Sequence, residues 1–356
     1  MNASDAVDVV ALGESMVTFL PGRAGRLADV PSFDRGIGGA ESNVACVLAA
    51  GGHAVRWVSR VGVDGFGDHL VEAIGGYGVD VSAVGRDPLR PTGVYFRTAG
   101  DRGSDGHEVA YYRAGSAASA MSVGNVDLSV VRATRVVHLS GITAALSEGC
   151  LELVRELTAP SEGRPLVSFD VNHRAELWGD VEGARVLLEL ARGADIVFVG
   201  EDEAEEAWGI SGGASVIREA LPEPSVLVVK QGSRGATAFV SGDGRRGLVA
   251  QFPAPLEEVT HAPGLHVDVV ASTGAGDAFA AGFLSASLRD LPMKSRLRTG
   301  HLWAAAALTT PGDLAVPPVR AHADRLVALD EGTWETLRLG PGWTQAVQAP
   351  EEVRTP

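Results

Sequence analysis

Ala271-Ser-Thr-Gly-Ala-Gly-Asp-Ala-Phe-Ala-Ala-Gly-Phe283 reads as a tight turn opening directly into a helix, and its chemistry sits at that opening. Three small residues, Gly274, Ala275 and Gly276, let backbone N–H groups converge where a helix start favours negative charge. The run is an anion cradle. Asp277 follows at once, and a carboxylate repels an anion, so it makes a poor residue for simply holding one. It suits a base that takes a proton from a hydroxyl attacking a phosphoryl group seated in the cradle. The alternative is a small-residue helix start with an acidic first turn, which is common and stabilising.

Around this stretch, short apolar runs at Val7–Leu12, Val55–Val61, Val136–Ser140, Leu166–Val171, Ile196–Val199 and Val226–Lys230 carry few polar residues. Such runs suit parallel strands covered on both faces. Helix-compatible patterns between them, at Ser42–Ala50, Gly67–Ile74, Leu151–Leu157, Val181–Arg192 and Ala204–Trp208, give the alternation of a doubly wound α/β fold. Its ligands bind at the carboxyl ends of strands. Met16–Leu20, Val94–Thr98 and Val109–Arg113 break the rhythm by alternating like exposed strands, and Gly100–Gly106 reads as a hairpin tip. We expect these to form a small β-sheet lid from segments 15–37 and 91–114. Residues 1–335 form the main domain, and Pro- and Gly-rich composition predicts a weakly ordered tail over 336–356.

The 356 residues, 45% of them hydrophobic, can bury one large core. Thirty basic against forty-five acidic residues leave a net charge of -15, which argues against nucleic acid or an anionic membrane as partner. Any anionic substrate must be met by local arginines. The acidic N-terminus lacks a basic leader and no apolar run approaches a membrane span, so a cytoplasmic chain is expected. Cys46 and Cys150 have no second Cys or His at ligand spacing and read as core residues.

Two further glycine-rich segments join the cradle. Gly38-Gly-Ala-Glu-Ser-Asn-Val-Ala45 precedes a helix, where Gly38 and Gly39 bring backbone close to a ligand and Asn43 offers both donor and acceptor. Arg60-Val-Gly-Val-Asp-Gly-Phe-Gly67 ends a strand in a glycine-rich loop. The spacing from Gly38 and Gly39 through Asn43 and Ala45 to Gly52 and Gly62 resembles the N-terminal signature of the ribokinase-like (PfkB) carbohydrate kinases. Gly274-Ala-Gly-Asp277 resembles their C-terminal one, and the likeness runs from about Val9 to about Asp313.

That resemblance implies a Rossmann-like central sheet with helices on both faces and a β lid, ATP as phosphoryl donor, Mg2+, and transfer to a primary hydroxyl. It implies Asp277 as base, with Gly274, Ala275 and Gly276 as the anion hole, and pairing of two copies through the lid. Lys230-Gln-Gly-Ser-Arg-Gly235 resembles the family's nucleotide-side loop, which makes Lys230, Gly232 and Gly235 cofactor-binding; an ordinary hairpin turn is the alternative. Glu203 matches the acidic end of an element linked with Mg2+ and phosphate. Gly200 departs from that element's asparagine, so Glu201 and Asp202 are read as solvated helix-start acids. Ala271 stands where the family has an acidic residue linked with a monovalent cation.

Within the family, Tyr111-Tyr-Arg-Ala-Gly-Ser-Ala117, His138-Leu-Ser-Gly-Ile-Thr143 and Asp170-Val-Asn-His-Arg174 resemble the 2-keto-3-deoxygluconate kinases. Arg113 and Arg174 supply two cations for a substrate carboxylate, with Tyr95, Tyr111 and Ile142 along the sugar. A neutral-sugar kinase of fructokinase or ribokinase type, or a non-catalytic sugar sensor on the same fold, are the alternatives. Gly209-Ile-Ser-Gly-Gly213 fits a nucleophile-elbow pattern but follows a helical run, so a hydrolase is excluded.

Overall fold

In the computed structural model, described for residues 6–23, 25–98, 108–178, 181–241 and 258–345, apolar runs buried on both sides build the central layer. Every residue of Ile196–Gly200 is buried. Ile196 and Phe198 enter one hydrophobic cluster, while Val197 and Val199 enter the other, across the sheet. Strict alternation of faces along a strand, with both faces covered, explains why these segments carry so few polar residues.

In chain order the strands are β1 (Val7–Leu12), β2 (Met16–Pro21), β3 (Phe33–Gly38), β4 (Val55–Gly62), β5 (Val84–Asp87), β6 (Val94–Arg97), β7 (Val109–Tyr112) and β8 (Thr134–Ser140). They continue with β9 (Leu166–Asp170), β10 (Ile196–Gly200), β11 (Val226–Lys230), β12 (Gly235–Val240), β13 (Glu258–Pro263), β14 (His266–Val267) and β15 (Arg338–Leu339). A nine-stranded sheet runs β13-β12-β11-β10-β9-β8-β1-β4-β5. It is parallel from β11 to β5, and antiparallel where β12 and β13 close one edge. The order reverses at β1, which lies between β8 and β4. That is where a doubly wound sheet opens a crevice. All six strands expected from the sequence lie in this sheet, and the α/β class is as read.

The helices Ala40–Ala50, Ala275–Leu288 and Met293–Leu308 pack on one face of the sheet, and Glu148–Thr158 and Val181–Gly193 on the other. The Ala275–Leu288 helix is apolar nearly all round and buried from Ala278 to Leu288, as a helix between a sheet and another helix must be. A separate sheet, β3-β2-β6-β7, supplies the lid. Its tip, expected at Gly100–Gly106, lies outside the described residues.

The expected tail needs correction. β15 pairs in parallel with β14, and Trp334, Leu337, Leu339 and Trp343 are buried in the core. The Trp334 indole also donates to the Pro263 carbonyl at 2.9 Å. Apolar residues spaced among polar and glycine neighbours dock this segment as far as Gln345, so composition misreads 336–345 as loose; 346–356 lie outside the described residues.

Candidate active site

The cavity lies at the carboxyl ends of β1 and of the strands β8, β9, β10 and β11 on one side of it, and its walls come from the residues that follow them. β1 leads to Glu14, β8 to Ile142, β9 to Asp170, Asn172 and Arg174, β10 to Glu203, and β11 ends on Lys230; all of these line a cavity of about 430 Å³. The start of the Ala275–Leu288 helix closes one end and the lid sheet the other. Gly38, Gly39, Asn43, Tyr95, Tyr111, Arg113, Ile142, Arg174, Glu203, Lys230, Gly274, Gly276 and Asp277, all expected from the sequence, line it together.

At the helix end, Gly274 holds φ 79°, and a Cβ there would sit 2.1 Å from the Asp313 carbonyl oxygen. Only glycine takes both the left-handed backbone and that approach. No side chain caps the helix that follows; its Ala275 amide donates to the Ser272 carbonyl at 3.3 Å, which leaves the Gly276 and Asp277 amides for an anion in the cavity. Asp277, half-buried in that turn, accepts a hydrogen bond from Asn43 Nδ2 at 2.8 Å. Burial pushes the Asp277 carboxyl up to about 8; the Asn43 bond and the Arg174 and Lys230 charges oppose the rise, and Asp170 adds to it.

Lys230 Nζ stands 3.2 Å from both carboxylate oxygens of Asp170 and 3.8 Å from Glu203. Burial alone would favour loss of its proton, but Asp170, Glu203 and Asp277 overcome that and raise the ammonium above its ordinary value. Lys230 is therefore a fixed positive charge beside the cradle. Gly232 and Gly235 do not line the cavity. They turn the chain from β11 into β12, and a Cβ on Gly235 would meet the Ala262 carbonyl oxygen at 2.2 Å. Ala275 belongs to the cradle's backbone without lining the cavity. Glu201 also departs from expectation, because it accepts from Gln231 at 2.6 Å and pairs with Arg234, tying its helix to that turn.

At the lid end the two expected cations differ. Arg113 is not free: its Nη2 lies 2.5 Å from Glu14 Oε2, and the Glu14 side chain is 1% exposed. Glu14 Oε1 accepts from the Ser116 hydroxyl as well. The pair forms because a buried carboxylate at the end of β1 needs a counter-charge, and β7 brings Arg113 to it. Arg174 is half-buried, donates to the His173 carbonyl at 2.6 Å, and makes no ion pair among the described residues. Tyr95 gives its hydroxyl to Asp313, and Arg97 Nη2 lies 2.9 Å from the same carboxylate. Burial, followed by the Asp313 charge, holds the Tyr95 hydroxyl well above its ordinary value.

Glu14, Arg97, Asp170 and Asp313 were not singled out from the sequence. Glu14 and Asp170 stand at the carboxyl ends of strands, a position that could have flagged them. Asp313 carries no such mark: it reaches the site through a loop after the Met293–Leu308 helix, where its carbonyl meets Gly274 and its carboxylate meets the lid.

Among the described residues, no three His, Cys, Asp or Glu side chains group as a metal cage. The Glu203 carboxylate accepts from the Gly200 amide at 2.7 Å and lies 3.8 Å from Lys230 Nζ, so it is already partnered. No helix among the described residues is long and apolar enough to cross a membrane.

A family model described as pfkB family carbohydrate kinase matches residues 6–319. A 2-dehydro-3-deoxygluconokinase of Thermoproteus tenax is 31% identical over 91% of this chain and 95% of its own length. A probable chloroplastic fructokinase-6 of Arabidopsis thaliana is 30% identical over 87% of this chain and 79% of its own. Among solved structures, an uncharacterized sugar kinase from Pyrococcus horikoshii in complex with ATP superposes with a TM-score of 0.73 at 25% identity, covering 91% of this chain and 98% of that one.

Proposed function

Because the chain belongs to the pfkB family of carbohydrate kinases, we propose that it transfers the γ-phosphate of ATP to the terminal primary hydroxyl of a six-carbon keto-deoxy sugar acid, 2-keto-3-deoxygluconate. The observation that carries the acid reading is Arg174, a cation in the cavity that makes no ion pair among the described residues, although its charge also acts on Asp277. A substrate carboxylate would meet its guanidinium. The relative from Thermoproteus tenax supports the same substrate.

Asp277 takes the proton from the acceptor hydroxyl as its oxygen forms the new bond to phosphorus and the bond to the departing diphosphate breaks. A carboxylate whose proton affinity lies near 8 is matched to that task, since a base works best when its affinity is close to the operating pH. The Gly276 and Asp277 amides and the Lys230 ammonium stabilise charge gathering on the transferred group. Mg2+ would neutralise phosphate charge, with Glu203 holding it through water. The lid excludes water, the competing nucleophile.

A second reading has its own observation. The Arg113–Glu14 pair is electrically neutral, which suits a neutral ketose, and a fructokinase is among the relatives. The deciding measurement is kcat/KM for the keto acid, fructose and ribose in wild type and Arg174→Ala. Loss of about 1.5–3 kcal/mol of binding for the acid alone supports the acid reading; equal kcat/KM for fructose and the acid, or an Arg174→Ala variant indifferent between them, overturns it.

A further inference from the structure

We propose that Asn43 is a positioning residue for phosphoryl transfer, acting on the reaction through Asp277: its side-chain amide grips the carboxylate and aims it at the acceptor hydroxyl. This reassigns Asn43, which the sequence reading placed on the sugar, and it rests on the reading of Asp277 as the base.

Three observations carry it. Asn43 Nδ2 donates to Asp277 Oδ2 at 2.8 Å across a separation of 234 residues, joining two helices that pack side by side. Asn43 is 4% exposed, and its Oδ1 is buried with no partner. The Asp277 contact therefore decides which way the amide faces, since the opposite face would set oxygen against carboxylate. The helix that presents it is fixed on either side of Asn43. Glu41, two residues earlier, accepts from the Ser140 amide at 3.1 Å and from the Ser140 and Thr143 hydroxyls at 2.7 Å each. Ser42 donates to the Gly39 carbonyl at 3.0 Å and meets Ser15. Asn43 thus rests on an anchored platform, as a residue that aims another must.

Other charges face Asp277 from the remaining walls. Asp170 at the end of β9 raises its proton affinity, while Arg174 in the following loop and Lys230 at the end of β11 lower it. Asn43 is the neutral donor among them, and it favours the ionised form by hydrogen bonding. Removing it leaves burial and Asp170 less opposed, and the base takes up a proton at higher pH.

The test is the pH profile of kcat/KM, measured with whichever sugar the wild type accepts. In Asn43→Ala the ascending limb should move up by about one to two pH units, the size expected for losing one hydrogen bond to a charged group. The deficit should narrow as pH rises past that limb, with ATP affinity unchanged. Asn43→Asp keeps the shape, guards against a folding failure of the alanine variant, and should move the limb further, because two carboxylates would share the site. In an Asp277→Asn background, Asn43→Ala should add no further loss of kcat. An equal loss at every pH with the limb unmoved would leave Asn43 a merely structural residue. A raised sugar KM with an unmoved limb would return it to the sugar, and an additive loss in the double variant would also overturn the proposal. Failure of Asp277 as base would show separately, in the single Asp277→Asn variant retaining activity.

Discussion

The two ends of the cavity are built from unlike materials. At the phosphoryl end, Asp277 and its glycines belong to one continuous stretch that opens a helix whose body is buried. At the lid end, charges meet partners far away in the chain: Glu14 meets Arg113, and Asp313 meets Tyr95 and Arg97. The first end sets helix-start amides beside a carboxylate, the arrangement on which the proposed transfer rests. The second cancels its charges in pairs, leaving Arg174 as the cation without an ion pair among the described residues. Chemistry is concentrated in local sequence, whereas selectivity is distributed over contacts that exist only once the lid is folded onto the core.

The contrast breaks most sharply at Asp277. Asp277→Asn should lower kcat by about 10²–10⁴, the range for removing a general base, with ATP affinity nearly intact by calorimetry. A variant keeping more than half its activity would mean that the phosphoryl end lacks its assigned base. The same substitution tests pH linkage. The Asp277 carboxyl, raised from 3.8 to about 8, binds its proton more tightly folded than unfolded. Wild-type stability therefore falls as pH rises through that window. Asp277→Asn should remove this slope and melt higher than wild type at pH 8 and above, as thermal unfolding across pH would reveal.

Asp313 is where the two ends meet. Asp313→Ala leaves the Arg97 guanidinium buried without its partner, and breaking one side of a buried pair costs about 3–5 kcal/mol. Chemical denaturation should show that loss, together with a raised sugar KM, because Asp313 also stands behind Gly274. A stability change within ~0.5 kcal/mol, the range of ordinary surface substitutions, would show that the lid is not latched to the core through this carboxylate.

The smallest effect sharpens the comparison. Glu14→Gln keeps the shape and an acceptor for Arg113 but releases its positive charge. The acid-to-fructose ratio of kcat/KM should rise about threefold to tenfold, up to ~1.4 kcal/mol. An unchanged ratio would mean that Arg113 does not face the acid end of the substrate.

Legibility in the sequence follows the same division. Six parallel strands could be read because burial on both faces demands uninterrupted apolar runs. The cradle could be read because a left-handed turn, a helix start and a carboxylate are all local. Antiparallel β12 and the edge strand β13 were not read, nor was the docking of Trp334 through Trp343, since these short segments take their pairing from neighbours rather than from a period of their own.

Residues 271–283 by themselves determined that a left-handed glycine opens a helix with a carboxylate in its first turn, because backbone geometry and residue size depend on adjacent positions alone. The surrounding apolar runs determined a doubly wound sheet. Only the tertiary structure decided that Arg113 is neutralised by Glu14 while Arg174 carries no ion pair among the described residues, that Asn43 faces the base, and that Asp313 joins cradle to lid. Charge pairing inside a protein depends on distances of a few ångströms between residues far apart in sequence, and the fall of such an interaction with distance is set by folding, not by spacing along the chain.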